Sequence, residues 1–233
     1  MKSLTYDPPI VWQEINDGNP YTPWSWQEEH VHSRVDAKRL ILACGRRSGK
    51  TTAIKAEIVR EALKPQEEHF GMLHSPYIYV IAPNYELTMK VWEPVWNLFV
   101  GRAAPLRHLY KSHDKTRKLI ELITGGRIQA KSADDPTGLQ GDRVTAAFVD
   151  EAQDLNPDAW ASFMPALADT DGRLVAIGIP KGKGNFRTYW QIGQEDDDRY
   201  YSASVTSLEH PYIDHDDLEE FKRDLTEAQF RQQ

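Results

Sequence analysis

The segment Cys44-Gly45-Arg46-Arg47-Ser48-Gly49-Lys50-Thr51 constrains this chain more than any other. The apolar run Leu40-Ile41-Leu42-Ala43 precedes it, and a helical pattern from Ala53 to Leu63 follows it. A strand, a glycine-bearing loop and a helix opening on Gly-Lys-Thr form the context of a phosphate-binding loop. Gly45 and Gly49 let backbone N–H groups turn inward around phosphate oxygens. The helix N-terminus adds partial positive charge at the same place. Lys50 has the reach for β- and γ-phosphates, and the Thr51 hydroxyl can ligate Mg²⁺. Arg46, Arg47, Ser48 and Thr52 complete the candidate nucleotide-binding stretch. Cys44 stands where the usual eight-residue pattern begins with glycine. An ordinary strand–turn–helix is the competing reading.

The length of 233 residues supports one good core with a small appendage. No run approaches the ~18 apolar residues of a membrane span, and Met1–Pro9 lacks the apolar centre of a signal peptide. The one cysteine excludes an internal disulfide, suits a reducing compartment and reads as a small buried residue. A net charge of −7 argues against indiscriminate nucleic-acid binding. The charge is uneven, however. Arg102 to Lys131 holds eight basic residues against two acidic ones, and Glu195 to the end holds twelve acidic against four basic. A basic face and an acidic end, or merely solvated loops, fit this pattern.

Residues 1–23 are rich in Pro, Asn and Asp and read as an irregular arm. Residues 24–204 read as the core. Within it Leu40–Ala43, Tyr77–Ala82, Val144–Val149 and Leu174–Ile179 read as buried parallel strands. Leu119–Ile123 and Arg127–Ala130 read as a hairpin across Gly125-Gly126. Asn156-Pro157 reads as an N-cap with proline at the first helical position. The alternation implies an α/β fold, a mainly parallel sheet sandwiched by helices. Residues 205–233 turn acidic and helix-prone and read as a small lid or linker.

Ala146-Ala147-Phe148-Val149-Asp150-Glu151 is an apolar strand ending in two acids, about 100 residues after the phosphate loop. Asp150 at such a strand end can hold Mg²⁺, and Glu151 can polarise an attacking water. The long spacing, with Tyr77–Ala82 in between, leaves room for an inserted strand. Leu174–Ile179 leads into Pro180-Lys181-Gly182-Lys183-Gly184. That basic glycine loop can sense a γ-phosphate, touch DNA phosphates, or be a plain tight turn. Pro23-Trp24-Ser25-Trp26-Gln27 has two readings as well. Gln27 can read an adenine edge beside a stacking Trp26, or the tryptophans can pack into the core.

With these motifs in order, the chain resembles the ATPase domain of tailed-phage large terminase subunits. Pro23–Gln27 resembles the family's adenine-reading segment, and Gly45–Thr51 its arginine-bearing phosphate loop. Gly138-Leu139-Gln140-Gly141 leading to Asp150-Glu151, and Gly178–Phe186 with its basic loop, follow in order. Ser204–Ser207 with His210–Ile213 is similar to the start of the family's lid. The resemblance implies a RecA-like P-loop NTPase fold of the ASCE type, with ATP and Mg²⁺ as cofactors. It implies a homo-oligomeric ring docked on the portal protein, with a small terminase subunit as partner. It further implies translocation of double-stranded DNA into a procapsid, in the cytoplasm of a bacterial host. Lys50, Thr51, Asp150 and Glu151 inherit phosphate, metal, metal and water-activating roles. Gly178, Ile179 and Pro180 stand at the coupling motif without its usual Ser or Thr. Gln140 stands where many members carry a finger arginine, which leaves Arg143 as the substitute.

For DNA contact the expectation falls on Lys181, Lys183, Arg117 and Lys118, through phosphates rather than bases. A helicase-type translocase is an alternative, but too few residues follow Pro180 for a second RecA-like domain. A nucleotide-dependent assembly or DNA-binding module with little hydrolysis is another. A nuclease is not expected from this chain alone, because Asp196–Asp198 and Asp214, Asp216 and Asp217 sit in polar runs rather than at strand ends.

Overall fold

A computed structural model describes residues 21–69, 72–179, 183–195 and 197–206. The expected arm up to residue 20, the lid or linker beyond residue 206, and Pro180 and Lys181 lie outside the described residues. Strand β1 (Arg39–Cys44) is buried along its whole length and runs through the phosphate loop into helix α1 (Lys50–Ala62). A two-stranded ribbon, β2 (Glu67–His69) with β3 (Met72–His74), follows. Strand β4 (Tyr77–Ala82) leads to α2 (Tyr85–Phe99), whose Asn84 cap accepts from the Leu87 N–H at 2.9 Å. Then come β5 (Tyr110–Asp114), β6 (Leu119–Leu122), β7 (Arg127–Ser132) and β8 (Ala146–Val149). Helix α3 (Pro157–Ala168), β9 (Arg173–Gly178), α4 (Asn185–Ile192) and β10 (Tyr200–Val205) complete the core.

Among the described residues the main sheet has eight strands in the order β10-β1-β9-β8-β4-β7-β6-β5. Only β6 runs against the others. Alternate strand residues face opposite layers. Leu40, Leu42, Ile78 and Val80 pack with α1 and α2, while Ile41, Tyr77, Tyr79 and Ile81 pack with α3 and α4. The four apolar runs are thus buried parallel strands, and the hairpin is β6–β7. Asn156 caps α3 by accepting from the Ala159 N–H at 2.8 Å.

Three features depart from the sequence-based expectation. The strand inserted between β1 and the acid-bearing β8 is β9; β4 lies on the far side of β8. Chain order does not dictate sheet order when crossover helices separate parallel strands. The edge strands β5 and β10 carry no apolar run. Tyr-Lys-Ser-His-Asp in β5 alternates half-buried with exposed residues, as an edge does. Ser204 and Val205, expected at the start of a lid, pair in β10 with Ala43 and Cys44. Cys44 is buried, as its small apolar character suggests.

Helix α1 is held by charges as well as by apolar packing. Glu57 is fully buried, and its carboxylate bonds to Arg60. Arg173 Nη1 reaches across from β9 to Glu57 Oε2 and Glu61 Oε1, both at 2.8 Å. His32 Nδ1 lies 2.6 Å from Glu57 Oε1. Arg60 Nη1 donates to the His32 carbonyl at 3.1 Å. Two guanidinium groups and the His32 ring therefore surround two buried carboxylates under the helix.

Candidate functional site

Every strand of a parallel sheet delivers its C-terminal end to one edge, and ligands gather there. At that edge, Gly45 N–H donates to the Val205 carbonyl at 2.8 Å, tying the loop to β10. Arg46 and Arg47 stand exposed at the loop tip, Ser48 is buried, and Thr51 and Thr52 are half-buried on the first turn of α1. Gly49 caps α1 in the left-handed region at φ 79°, and a Cβ there would lie 2.7 Å from the Trp24 ring. Both facts require glycine.

Lys50 Nζ lies 3.0 Å from Glu151 Oε1, so the loop lysine and the second strand-end acid meet directly. Asp150 is 7% exposed, and its N–H donates to the Ile81 carbonyl at 2.9 Å. Burial pushes its carboxyl up to about 6, against the pull of Lys50. A carboxylate so desolvated gains from a cation beside it. Glu151 turns the chain in the left-handed region at φ 48°, a costly conformation for a residue with a side chain. Burial opposes its ionisation too, but the hydrogen bonds from Gln153 and Lys50 outweigh it and hold the carboxyl below the usual range.

Gln153, on a short turn (Ala152–Asp154) after the acids, escaped the sequence reading. Its Nε2 donates to Glu151 Oε2 at 2.8 Å and to Asp154 Oδ2 at 2.9 Å. Its Oε1 accepts from the Ile179 N–H at 2.9 Å. A Cβ on Gly178 would lie 2.1 Å from that oxygen, so glycine at 178 makes room for the amide. The missing hydroxyl at 178 and 179 was the one available clue: a polar group arrives there from the other strand end instead.

The structure separates the two tryptophans. Trp26 is 3% exposed and packs in the core, where it cannot stack on a base; Trp24 is the ring beside the loop. Gln27 is 1% exposed. Its Oε1 accepts from Trp24 N–H and the Tyr21 hydroxyl, and its Nε2 donates to the Gly49 carbonyl at 3.1 Å. The amide expected to read adenine is thus turned onto the loop itself. Arg143 is exposed on the loop entering β8, at the opposite strand end from Asp150 and Glu151. Arg117 and Lys118 sit in the β5–β6 turn, at the same sheet edge as the loop, and Lys183 is exposed just before α4. β9 and β6 are four strand spacings apart, about 19 Å at ~4.8 Å each, so these cations form two separate groups on one edge.

A phosphate loop on β1, an acid pair on β8 and one strand between them define a RecA-like P-loop NTPase. The family described as terminase large subunit, T4likevirus-type, N-terminal, matches residues 41–169. The chain belongs to the terminase large subunit family. It is 26% identical over 200 residues to the large subunit of Escherichia phage T5, covering 84% of this chain and 43% of that protein. It is 26% identical over 178 residues to that of Thermus phage G20c, covering 69% of this chain and 34% of that protein. The chain therefore spans less than half the length of these relatives. Its fold is similar to a mutant ATPase domain of the Thermus phage P74-26 large terminase, with a TM-score of 0.78, 22% identity and 97% of each chain covered. It is also similar to the HK97 large terminase, with a TM-score of 0.69, 16% identity, and 84% of this chain and 43% of that one covered.

Proposed function

We propose that this chain is the ATP-hydrolysing motor domain of a viral DNA-packaging terminase, moving double-stranded DNA into a procapsid. The observation that carries the reading is the direct meeting of Lys50 and Glu151 beside the buried Asp150. Structures of the large terminase of a thermophilic bacteriophage with ADP and with ATP-γ-S support nucleotide as the ligand of a fold of this kind. The Thr51 hydroxyl and the Asp150 carboxylate are the donors suited to Mg²⁺. Mg²⁺ in such sites keeps several waters and leans on phosphates, so two protein donors suffice. When bound, Mg²⁺ neutralises charge on the β- and γ-phosphate oxygens.

The chain's own groups then divide the work. The Gly45–Lys50 backbone and the α1 N-terminus hold the phosphates. Lys50 exchanges Glu151 for the β- and γ-phosphates. Glu151 keeps its Gln153 bond at Oε2 and accepts the water proton at Oε1, the oxygen Lys50 vacates. Gln153 links that carboxylate to Gly178–Ile179, so a shift of Glu151 reaches the strand end that leads into the basic loop. Arg143, at the other end of β8 from Asp150, is the arginine this reading assigns to a neighbouring protomer of a ring. The portal protein and small terminase subunit are the partners this role needs, in a bacterial cytoplasm.

The test is Mg-dependent ATP turnover across a protein concentration series, with Lys50→Ala as control. The rate per protomer is expected to rise with concentration, because a trans arginine contributes ~10³–10⁵-fold in turnover. A rate identical in Lys50→Ala sinks the ATPase reading. A rate independent of concentration favours the passive binding module. For DNA, binding to duplexes of any sequence is expected to fall steeply with salt. Neutralising Arg117, Lys118 and Lys183 should lower the salt slope by about one for each phosphate these cations engage. A slope that stays unchanged removes these residues from the DNA surface.

A further inference from the structure

The segment before β1 joins the P-loop through hydrogen bonds whose directions can be assigned one by one. The Trp24 N–H can only donate, so the Gln27 atom 2.8 Å away is Oε1. The Gly49 carbonyl can only accept, so the atom 3.1 Å away is Nε2. The Tyr21 hydroxyl lies 3.0 Å from the same Oε1 and gives its one proton there. Burial first, then the charges of Glu57 and Glu28, push the Tyr21 phenol up, so that proton stays on. The phenol oxygen is then the acceptor for His32 Nε2 at 2.9 Å. At the other side of the ring, Nδ1 lies 2.6 Å from Glu57 Oε1. Arg60 and Arg173 both bond to Glu57 Oε2, and neither guanidinium gives up its charge. Burial works against the Glu57 charge, but the hydrogen bond with His32 itself, then the charges of Arg173 and Arg60, outweigh it and hold the carboxyl below its usual range. A carboxylate only accepts, so Nδ1 must carry a hydrogen as well.

We infer that His32 is doubly protonated in the folded protein and acts, through Tyr21 and Gln27, as a positioning residue for the Gly49–Lys50 peptide of the P-loop. Among the described residues, the charged groups on His32 and its partners include Glu57, Arg60, Arg173 and Glu28, with Glu61 beyond them. The route runs from imidazolium to phenol, from phenol to amide oxygen, and from amide nitrogen to the loop carbonyl. Its end point matters because the peptide is planar and trans. The Gly49 carbonyl and the Lys50 N–H point in opposite directions, so holding the carbonyl on Gln27 aims the Lys50 N–H. The same carbonyl accepts from the Ala53 N–H at 3.3 Å, so Gln27 adds a second, side-chain hold on a plane that the first turn of α1 also engages. The other end of the route, Glu57, lies two turns along the same helix, so α1 braces its own first peptide.

The protonation state stands on the hydrogen-bond geometry and the charge on Glu57, whereas its effect on nucleotide rests on the proposed ATPase role. The experiment is ¹⁵N-histidine NMR of the whole chain near pH 7, with His32 assigned by loss of its signals in His32→Gln. Should that variant fail to fold, Tyr21→Phe assigns the ring by moving its Nε2 signal. Two protonated ring nitrogens are expected, and one bare nitrogen overturns the inference. The Lys50 amide resonance, read without nucleotide, is expected to move in Tyr21→Phe; if it stays put, the positioning role is overturned. Under the ATPase reading, Tyr21→Phe also weakens Mg-ADP binding about tenfold, with kcat at saturation within about twofold of wild type. Unchanged affinity in a wild type that binds nucleotide overturns the positioning role. A wild type that binds none defeats the ATPase reading and leaves the two NMR readings to decide the inference.

Discussion

Glu151→Gln is expected to lower kcat for ATP hydrolysis by ~10²–10⁴-fold while nucleotide affinity stays within a few-fold. The substitution keeps the shape of the side chain and its hydrogen bond with Gln153, and removes the negative charge and with it the ability to take a proton. Lys50 loses its ion-pair partner in the variant, which frees it for phosphate. Affinity should therefore hold or rise as turnover collapses. The pair of measurements is phosphate release at high protein concentration and Mg-ATP binding by titration. Equal rates in the two proteins would assign the proton transfer elsewhere. Parallel loss of binding would mean that Glu151 shapes the site rather than serving as its base.

Glu57→Ala is expected to be the most damaging change away from the site. It leaves His32, Arg60 and Arg173 buried around one carboxylate fewer. Breaking a buried ion pair by removing one partner costs about 3–5 kcal/mol. For a chain of this length that is a fall in Tm on the order of 10 °C. The acid limb of the stability curve carries a second signature. Glu57 is held below its unfolded value near 4.3. Its contribution is thus complete above about pH 4.3 and is lost as pH falls through the folded value. Glu57→Gln should flatten that limb relative to wild type. Chemical denaturation at pH 7 and over a series below pH 5 checks both. A loss under about 1 kcal/mol at pH 7 would mean that the arginines find other acceptors when Glu57 is removed.

What could be read from the residues alone followed from burial. β1, β4, β8 and β9 are buried on both faces and so appear as unbroken apolar runs. The P-loop and acid pair were legible because their chemistry demands residue types at set places on a strand–turn–helix. β5 and β10 were not, because an edge strand lets polar residues alternate into solvent. Glu57, Arg60 and Glu61 look like a solvated helix face in the sequence; only Arg173, more than a hundred positions later, turns them into a buried cluster. Gln153 was invisible for a similar reason. An isolated glutamine carries no motif, and its role comes from two strand ends meeting. Gln27 was noticed for the right chemistry, donor and acceptor on one amide, but its partners are backbone groups and a tyrosine.

The neighbours of β1 have a consequence for how this chain is made. The strand that carries the P-loop pairs with β9 and β10, and Arg39 lies opposite Tyr200. During synthesis at ~5–20 residues per second, β1 leaves the ribosome on the order of ten seconds before its outer neighbour exists. The β5–β6–β7 meander needs no such wait, since its partners follow within a few residues of one another. The far edge of the sheet can set early, whereas the nucleotide-binding half closes last. A nascent chain interrupted before Tyr200 would carry an assembled meander at one side of the sheet and, at the other, a P-loop strand with one edge bare, the segment on which a holdase would be expected to act.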